Sequence, residues 1–226
     1  MKDINILYED NHILVVEKPV NIPVQEDSTK DKDLLNILKE YIKVKYNKEG
    51  NVYLGLVHRL DRPVGGVMVF ARTSKAASRL SEQIRKNEIK KYYLAVVNGK
   101  IDNEKGILEN YMYKDEKTGE SKIVEKEYPN SKYAKLEYEV LEYNKKEDLT
   151  LVEILLHTGR HHQIRLQMDN IGHTLYGDQR YGKQDKKQIA LWAYKLEFIH
   201  PVKKEKMQFE CKPQKLQDNV WSKFNI

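Results

Sequence analysis

The sequence predicts an α+β fold in which helices flank a large, mixed and mostly antiparallel β-sheet. Two stretches, 134–140 and 192–198, alternate apolar with polar residues as half-buried strands do. A third stretch, 149–156, is more continuously apolar, as expected of a central strand. Apolar residues recur at helical spacing in three further places, which predict three helices. The predicted strands outnumber these helices.

The N-terminal part of the chain is predicted to contain two strands and a helix. Strand patterns over 4–8 and 13–17 flank a turn and predict a hairpin or two consecutive strands. A helix is predicted over about 31–46, after Ser28-Thr29-Lys30-Asp31, which resembles a capping box. Its apolar face is formed by Leu34, Leu35, Leu38, Tyr41 and Ile42.

The next part of the chain alternates strands with a second helix. Buried strands are predicted at 52–57 and 67–71, and Thr73 is predicted to cap the helix that follows. A strand rich in Tyr and Val is predicted at 90–97, and Asn98-Gly99 ends it with a turn signal.

The C-terminal half begins with a polar, turn-rich segment from 100 to 132, with an exposed hairpin tip or loop predicted at 114–119. A third helix is predicted where Ile164, Met168 and Ile171 recur before Gly172, which can serve as its C-terminal stop. The last predicted strand contains the alternating residues Met207, Phe209 and Cys211.

Length and composition favour a self-sufficient fold with a polyanionic partner. The chain has 226 residues, enough to bury a substantial core, and 40 Lys and Arg against 34 Asp and Glu give a formal net charge of +6. The single cysteine, Cys211, excludes an internal disulfide framework and multi-cysteine zinc sites. No apolar run approaches a membrane span and no signal peptide is predicted, so a cytoplasmic protein is expected.

The first candidate site residue is Asp61, on a short loop between two predicted core strands. The loop reads His58-Arg59-Leu60-Asp61-Arg62, and loops held by a rigid scaffold often carry functional residues. Guanidinium groups on both sides favour an ionised carboxylate, which suits a nucleophile or a base. On these residues alone, the alternative is a turn aspartate that forms ion pairs with the two arginines.

A second candidate site surrounds Thr158-Gly159-Arg160, just before the third predicted helix. His157, His161 and His162 lie here, but their spacing across a glycine turn matches no known metal-binding pattern, so no metal is predicted. Arg160 at a helix N-terminus could instead meet a phosphate, as in a nucleic-acid backbone. The phosphate-binding glycine fingerprints are absent, so no nucleotide cofactor is predicted.

Three blocks of the sequence together resemble the RluA-like RNA pseudouridine synthases. The blocks are His58-Arg59-Leu60-Asp61-Arg62, Lys91-Tyr92-Tyr93-Leu94-Ala95 and Thr158-Gly159-Arg160-His161-His162-Gln163-Ile164-Arg165. Shorter matches elsewhere extend the resemblance over nearly the whole chain. The resemblance implies the pseudouridine synthase fold, with the active-site cleft across the sheet at Asp61. It also implies that a uridine in RNA is isomerised to pseudouridine, which needs no cofactor and no metal.

The resemblance also implies roles for individual residues. Asp61 matches the catalytic aspartate, Tyr93 the active-site tyrosine, and Arg165 the basic residue that pairs with the aspartate and keeps it ionised. Leu191 matches the apolar residue that packs on the target base. Arg59 matches the arginine that fills the gap left when a nucleotide is extruded from an RNA stem.

Arg62 and Arg160 are expected to contact the RNA as well. Two departures from the family pattern bear on substrate choice rather than on chemistry: Pro63-Val64-Gly65 stands where a Thr-Ser pair is common, and Trp192 where a histidine is common. We expect a single catalytic domain over 1–226, without an added N-terminal RNA-binding domain, that acts as a monomer. The expected partner is ribosomal or transfer RNA.

The residues leave two other functions open. One is a noncatalytic RNA-binding protein, and the other is a hydrolase that uses Asp61 with a histidine and releases free uracil.

Overall fold

The structure is a computed structural model that describes residues 4–27, 29–217 and 219–226. The chain forms two compact units, and each is described separately. Unit 1 comprises the chain up to Ile89 together with Ala193–Cys211, and unit 2 comprises Lys90–Trp192 and the segment from Lys212 onward. None of the helices in the described ranges is both long and apolar enough to cross a lipid bilayer.

Over the described residues, the secondary structure confirms the predicted α+β class, with a large, mixed and mostly antiparallel sheet and three α-helices. The strands are β1 (Ile6–Glu9), β2 (Ile13–Lys18), β3 (Gly55–Leu56), β4 (Gly65–Ala71), β5 (Lys90–Asn98), β6 (Lys105–Lys114), β7 (Ser121–Val124), β8 (Lys132–Asn144), β9 (Leu149–Leu156), β10 (Leu191–Ile199) and β11 (Lys206–Glu210). The helices are α1 (Leu34–Lys45), α2 (Ser74–Arg85) and α3 (Gln163–Asn170), and a 3₁₀ turn follows at Val220–Lys223.

Unit 1 is built on the antiparallel pairs β1–β2 and β2–β4, with the short β3 also paired to β4. All seven residues of β4 are buried. The apolar face of α2, with Ala76 and Leu80 at its centre, packs on β2 and β4 and on the C-terminal end of β10. Thr73 caps α2 as predicted, because its side chain accepts a hydrogen bond from the backbone N–H of Ala76 at 3.2 Å.

Unit 2 is built on the antiparallel order β5–β9–β8–β6–β7. The helix α3 buries six of its eight residues, and Leu166 packs against Met112 of β6 and Ala134 of β8. Gly172 ends α3 with φ of +84°, in the left-handed region that favours glycine, as predicted.

Several predicted boundaries were wrong. The helix α1 begins at Leu34 rather than near 31, because the Asp33 side chain caps it by accepting the backbone N–H of Asn36 at 3.0 Å. Ser28, the first residue of the predicted capping box, lies outside the described residues. The strand predicted at 52–57 is reduced to Gly55–Leu56, the two residues that pair with β4.

The turn-rich segment from 100 to 132 contains the β6–β7 hairpin, and its tip, 115–120, overlaps the predicted tip at 114–119. The sequence of β6 shows little hydrophobic periodicity, because Met112 is the one residue of that strand that is fully buried.

Candidate active site

Asp61 begins a tight turn that leads directly into the buried strand β4. Its carbonyl oxygen accepts a hydrogen bond from the Val64 N–H at 2.9 Å, and the Asn21 N–H donates to the Arg62 carbonyl at the same distance. The preceding residue, Leu60, is buried, whereas Asp61 is half-buried. The turn therefore holds the Asp61 backbone in place and leaves part of its side chain accessible.

The start of β4 is held in place by a close backbone approach at Gly66. Gly66 has φ of +124°, and a Cβ atom at this position would lie 2.1 Å from the Ala193 carbonyl oxygen. Only glycine meets both conditions, so the strand that follows the Asp61 turn requires glycine here.

Lys18 anchors the Asp61 turn through hydrogen bonds to backbone carbonyl oxygens. Its side chain is fully buried at the end of β2. The Nζ group donates hydrogen bonds to the carbonyl oxygens of Pro19 at 3.0 Å, Arg62 at 3.0 Å and Val64 at 2.7 Å. Two of these three acceptors belong to the turn that Asp61 begins. Lys18 thus connects the turn to β2, across 44 and 46 positions of sequence.

The charge of Lys18 is also linked to Asp61. Burial lowers the pKa of Lys18 from 10.5 to about 7, the nearby Asp61 carboxylate acts to raise it, and Arg62 acts to lower it. The sequence analysis assigned no role to Lys18.

The two arginines that flank Asp61 differ in their surroundings. Arg62 turns away to the loop before α1, where its guanidinium pairs with Asp31, lies 3.6 Å from Asp27 and donates to the Thr29 hydroxyl at 2.9 Å. Arg59 is exposed and makes no hydrogen bond or ion pair within the described ranges. Arg62 is therefore engaged in ion pairs within unit 1, whereas Arg59 is exposed. The expected contacts of both arginines with RNA stay predictions.

Tyr93 and Leu191, both predicted from the resemblance, lie in unit 2. Tyr93 is in β5, opposite Ile154 of β9, with 7% of its surface exposed. Leu191 is the first residue of β10 and is 5% exposed. Both side chains therefore belong to the buried part of the sheet.

The loop Thr158-Gly159-Arg160 is held by the buried side chain of Gln163, the first residue of α3. The Gln163 Oε1 atom accepts hydrogen bonds from the Thr158 hydroxyl at 2.7 Å and from the Arg160 N–H at 3.0 Å. The Gln163 amide nitrogen donates to the Lys135 carbonyl at 3.1 Å. Gln163 thus satisfies the polar groups of the loop and fixes it to the neighbouring strand β8.

Arg165 is held by a carboxylate that the sequence reasoning did not identify. Its Nε and Nη2 groups donate to the two oxygens of Asp178, both at 2.7 Å, and both side chains are buried. Burial acts to raise the pKa of Asp178, but Arg165 and the N–H groups of Arg180 and Tyr181 lower it overall. The bidentate pair fixes the orientation of the Arg165 guanidinium.

The histidines of this segment are engaged with other side chains. His161 lies 2.8 Å from the Ser121 hydroxyl through Nδ1 and stacks on His162 at 3.8 Å between ring centroids. The Nδ1 atom of His162 is 2.8 Å from the Tyr181 hydroxyl, and burial, followed by the charge of Arg165, lowers the pKa of His162 to about 3. Within the described part of the chain, no group of three or more His, Cys, Asp or Glu residues could hold a metal ion.

Comparison with known proteins identifies the family. A family model described as RNA pseudouridylate synthase matches residues 12–170. An uncharacterized RNA pseudouridine synthase of Aquifex aeolicus (strain VF5) is 35% identical over 231 residues, which cover 97% of this chain and 72% of that protein. The uncharacterized RNA pseudouridine synthase YhcT of Bacillus subtilis (strain 168) is 34% identical over 206 residues, which cover 90% of this chain and 66% of that protein.

A third relative is named for its RNA. The ribosomal large subunit pseudouridine synthase C of Buchnera aphidicola subsp. Acyrthosiphon pisum (strain APS) is 30% identical over 219 residues, covering 91% of this chain and 66% of that protein. Among solved structures, Human RNA Pseudouridylate Synthase Domain Containing 4 has the same fold, with a TM-score of 0.76 and 23% identity over 92% of this chain and 88% of that chain.

The chain belongs to the RNA pseudouridylate synthase family and is an RNA pseudouridine synthase. The resemblance predicted from the three sequence blocks is therefore confirmed. The matched segment contains Arg59, Asp61, Tyr93 and Arg165, whereas Leu191 lies beyond its end.

Proposed function

We propose that this chain isomerises specific uridines in structured ribosomal or transfer RNA to pseudouridine, with Asp61 as the nucleophile. The observation that carries the proposal is the position of Asp61, which begins a turn that is anchored by the buried ammonium group of Lys18. A carboxylate held by its backbone, half-buried and close to a cation suits attack on a bound sugar or base. The name of the Buchnera relative favours ribosomal RNA of the large subunit as the substrate.

In this proposal the reaction breaks the bond between C1′ and N1 of the uridine and forms a bond between C1′ and C5. The proton lost from C5 is balanced by a proton gained at N1, so nothing is oxidised or reduced. Asp61 attacks the ribose C1′, assists glycal formation or adds to the base, and the resemblance to the family favours chemistry at the ribose.

Other residues are assigned supporting roles in the same reaction. Tyr93 stacks on the uracil and takes part in proton transfer, and Leu191 packs on the base. The resemblance to the family assigns Arg165 as the basic partner of the catalytic aspartate, and Asp178 is a positioning residue that holds the Arg165 guanidinium in one orientation. No metal and no cofactor takes part. The enzyme acts in the cytoplasm as a monomer.

A uridine within a helical stem must leave the base stack before its glycosidic bond can be reached. Arg59 is exposed, and its planar guanidinium can stack on the bases next to the gap. We therefore assign Arg59 to the space that the extruded nucleotide leaves.

The test is single-turnover pseudouridine formation by Asp61→Asn, with Asp102→Asn as the control. The Asp61→Asn change keeps the size of the side chain and removes the nucleophile, so we expect turnover to fall by about 10⁴-fold or more while RNA binding persists. Asp102 is exposed on the loop before β6, and its variant is expected to behave like the wild-type enzyme.

Product analysis separates this function from its alternatives. Free uracil would indicate a hydrolase, and RNA binding without any product would indicate a noncatalytic RNA-binding protein. Appreciable turnover by Asp61→Asn would exclude Asp61 as the nucleophile. Loss of RNA binding in parallel with turnover would show that the substitution had disrupted the loop.

A further inference from the structure

Lys91, at the start of β5, is a partly buried cation without a counterion. Burial lowers the pKa of Lys91, and the positive charge of Arg160 lowers it further. Within residues 4–27, 29–217 and 219–226, its ammonium group makes no hydrogen bond and no ion pair. Several other lysines of the same unit form ion pairs, for example Lys105 with Glu139 at 2.9 Å. Taking an ammonium group partly out of water without a partner costs free energy, so a group in this state fits a bound anion.

The Lys91 ammonium group lies over the backbone of Gly159. A Cβ atom at position 159 would be 3.7 Å from Nζ of Lys91, so the absence of a side chain leaves the space above this backbone to the ammonium group and to whatever it binds. Gly159 is exposed, and the loop it belongs to is fixed by Gln163. The loop therefore presents a rigid, open surface beside the lysine.

Arg160 places a second cation at the same loop. Its Nε group donates to the Tyr133 carbonyl oxygen at 2.8 Å, which fixes the orientation of the guanidinium. The two Nη groups have no hydrogen-bond or ion-pair partner among the residues that the structure describes. An arginine anchored through Nε and open at its Nη groups presents a fork of donors that matches the oxygens of a phosphate.

We propose that Lys91 and Arg160 together bind one backbone phosphate of the RNA substrate, next to the uridine that reacts. Two cations side by side without a carboxylate repel each other, and a phosphodiester anion between them removes this repulsion. Lys91 and Tyr93 are two residues apart on one strand, so their side chains project from the same face about 7 Å apart. This spacing is close to the distance between successive phosphates, which places the bound phosphate beside the base that Tyr93 contacts.

This inference rests on the proposed function, since it needs RNA as the substrate and Tyr93 at the target base. It adds Lys91, to which no role has been given above, and it pairs that residue with Arg160. The neighbouring Lys90 offers a matched control, because it is exposed, lies on the same strand and points to the opposite face.

The experiment is ethylation interference on an in vitro transcript, ribosomal or transfer RNA, in which the wild-type enzyme forms pseudouridine. Ethylating a phosphate removes its charge, so transcripts ethylated at contacted phosphates are depleted from the bound fraction. Wild-type enzyme, Lys91→Met, Arg160→Gln, the double variant and Lys90→Met are compared.

We expect one phosphate close to the modified uridine to interfere with binding of the wild-type enzyme and of Lys90→Met, but not of Lys91→Met or Arg160→Gln. The slope of log affinity against log salt should fall by about one for Lys91→Met. The double variant should bind little more weakly than either single variant, because both side chains contact the same phosphate.

Two results would overturn the inference. An interference pattern of Lys91→Met identical to that of the wild-type enzyme would show that Lys91 contacts no phosphate. Loss of interference at two separate phosphates, one for each variant, would show that the two cations do not share a site. If the wild-type enzyme forms pseudouridine in no transcript, the proposed function itself fails, and this inference falls with it.

Discussion

Replacing Lys18 by methionine tests how the buried ammonium group contributes to the Asp61 turn. The change keeps the length and apolar character of the side chain and removes three hydrogen bonds to carbonyl oxygens. Hydrogen bonds from a charged donor contribute about 1.5–3 kcal/mol each, so their loss costs about 4–9 kcal/mol in total. The substitution also removes the free-energy cost of burying a charged ammonium group, which offsets part of this loss.

The cost of burying this charge follows from the pKa of Lys18. Its fall from 10.5 in the unfolded chain to about 7 in the folded protein corresponds to about 5 kcal/mol at pH values below 7. The two effects oppose each other, so Lys18→Met is expected to lower the free energy of unfolding by about 0–4 kcal/mol at neutral pH. Expressed as a free energy, the loss of single-turnover activity at the same pH should be much larger than the loss of stability. The reason is that the turn that carries Asp61 loses its connection to β2.

The pH dependence gives the sharper test. Between pH 7 and 10.5 the unfolded chain keeps the proton on Lys18 while the folded protein has released it, so the stability of the wild-type protein rises with pH. This contribution is fully present above pH 10.5 and is lost as the pH falls through about 7. The stability difference between wild type and Lys18→Met should therefore increase by about 2 kcal/mol from pH 7 to pH 9.

The assay is urea unfolding at pH 7, 8 and 9 for the wild type, Lys18→Met and Lys43→Met. Lys43 is an exposed lysine on α1, and its variant should follow the wild-type curve at every pH. A difference between wild type and Lys18→Met that stays constant with pH would refute the reasoning. It would mean that the three carbonyl oxygens keep Lys18 protonated throughout this range.

Three further substitutions have defined expectations. Asp178→Asn leaves a buried guanidinium without its carboxylate and should lower the free energy of unfolding by about 3–5 kcal/mol in urea titrations, whereas Asp102→Asn should change it by less than about 0.5 kcal/mol. Gly66→Ala should destabilise the protein by several kcal/mol or prevent folding, because its Cβ would lie 2.1 Å from a backbone oxygen. Gly119→Ala, with φ of +68° and open space around it, should cost only about 1 kcal/mol. Equal melting temperatures of the two variants would contradict this expectation. Arg59→Ala should reduce turnover on a structured RNA more than on an unstructured oligonucleotide, and equal losses on both would count against its role in the gap.

Much of the fold could be predicted because its elements carry local signals. The alternation of apolar and polar residues predicted β8 and β10, and the Thr73 cap predicted the start of α2. The failures have a physical cause as well. The ends of α1 and β3 depend on which backbone groups find partners, as when the Asp33 carboxylate caps α1, and such choices leave no periodic pattern in the sequence.

The candidate site likewise contains residues that the sequence predicted and residues that it did not. The sequence blocks alone led to Asp61, Tyr93 and Arg165, because each block is contiguous and its residue types resemble a known family. Their assigned roles stay predictions that the variants above can test.

The sequence by itself determined the fold class, the family and the three blocks, since each is encoded in residues that are close together along the chain. Only the tertiary structure showed that Lys18 anchors the Asp61 turn, that Asp178 orients Arg165, and that Lys91 meets the Gly159 loop. In these three cases a charged side chain reaches a group 13 to 68 positions away in sequence. Burial then decides whether that charge is paired, strained or available to a ligand, and burial is a property of the folded chain.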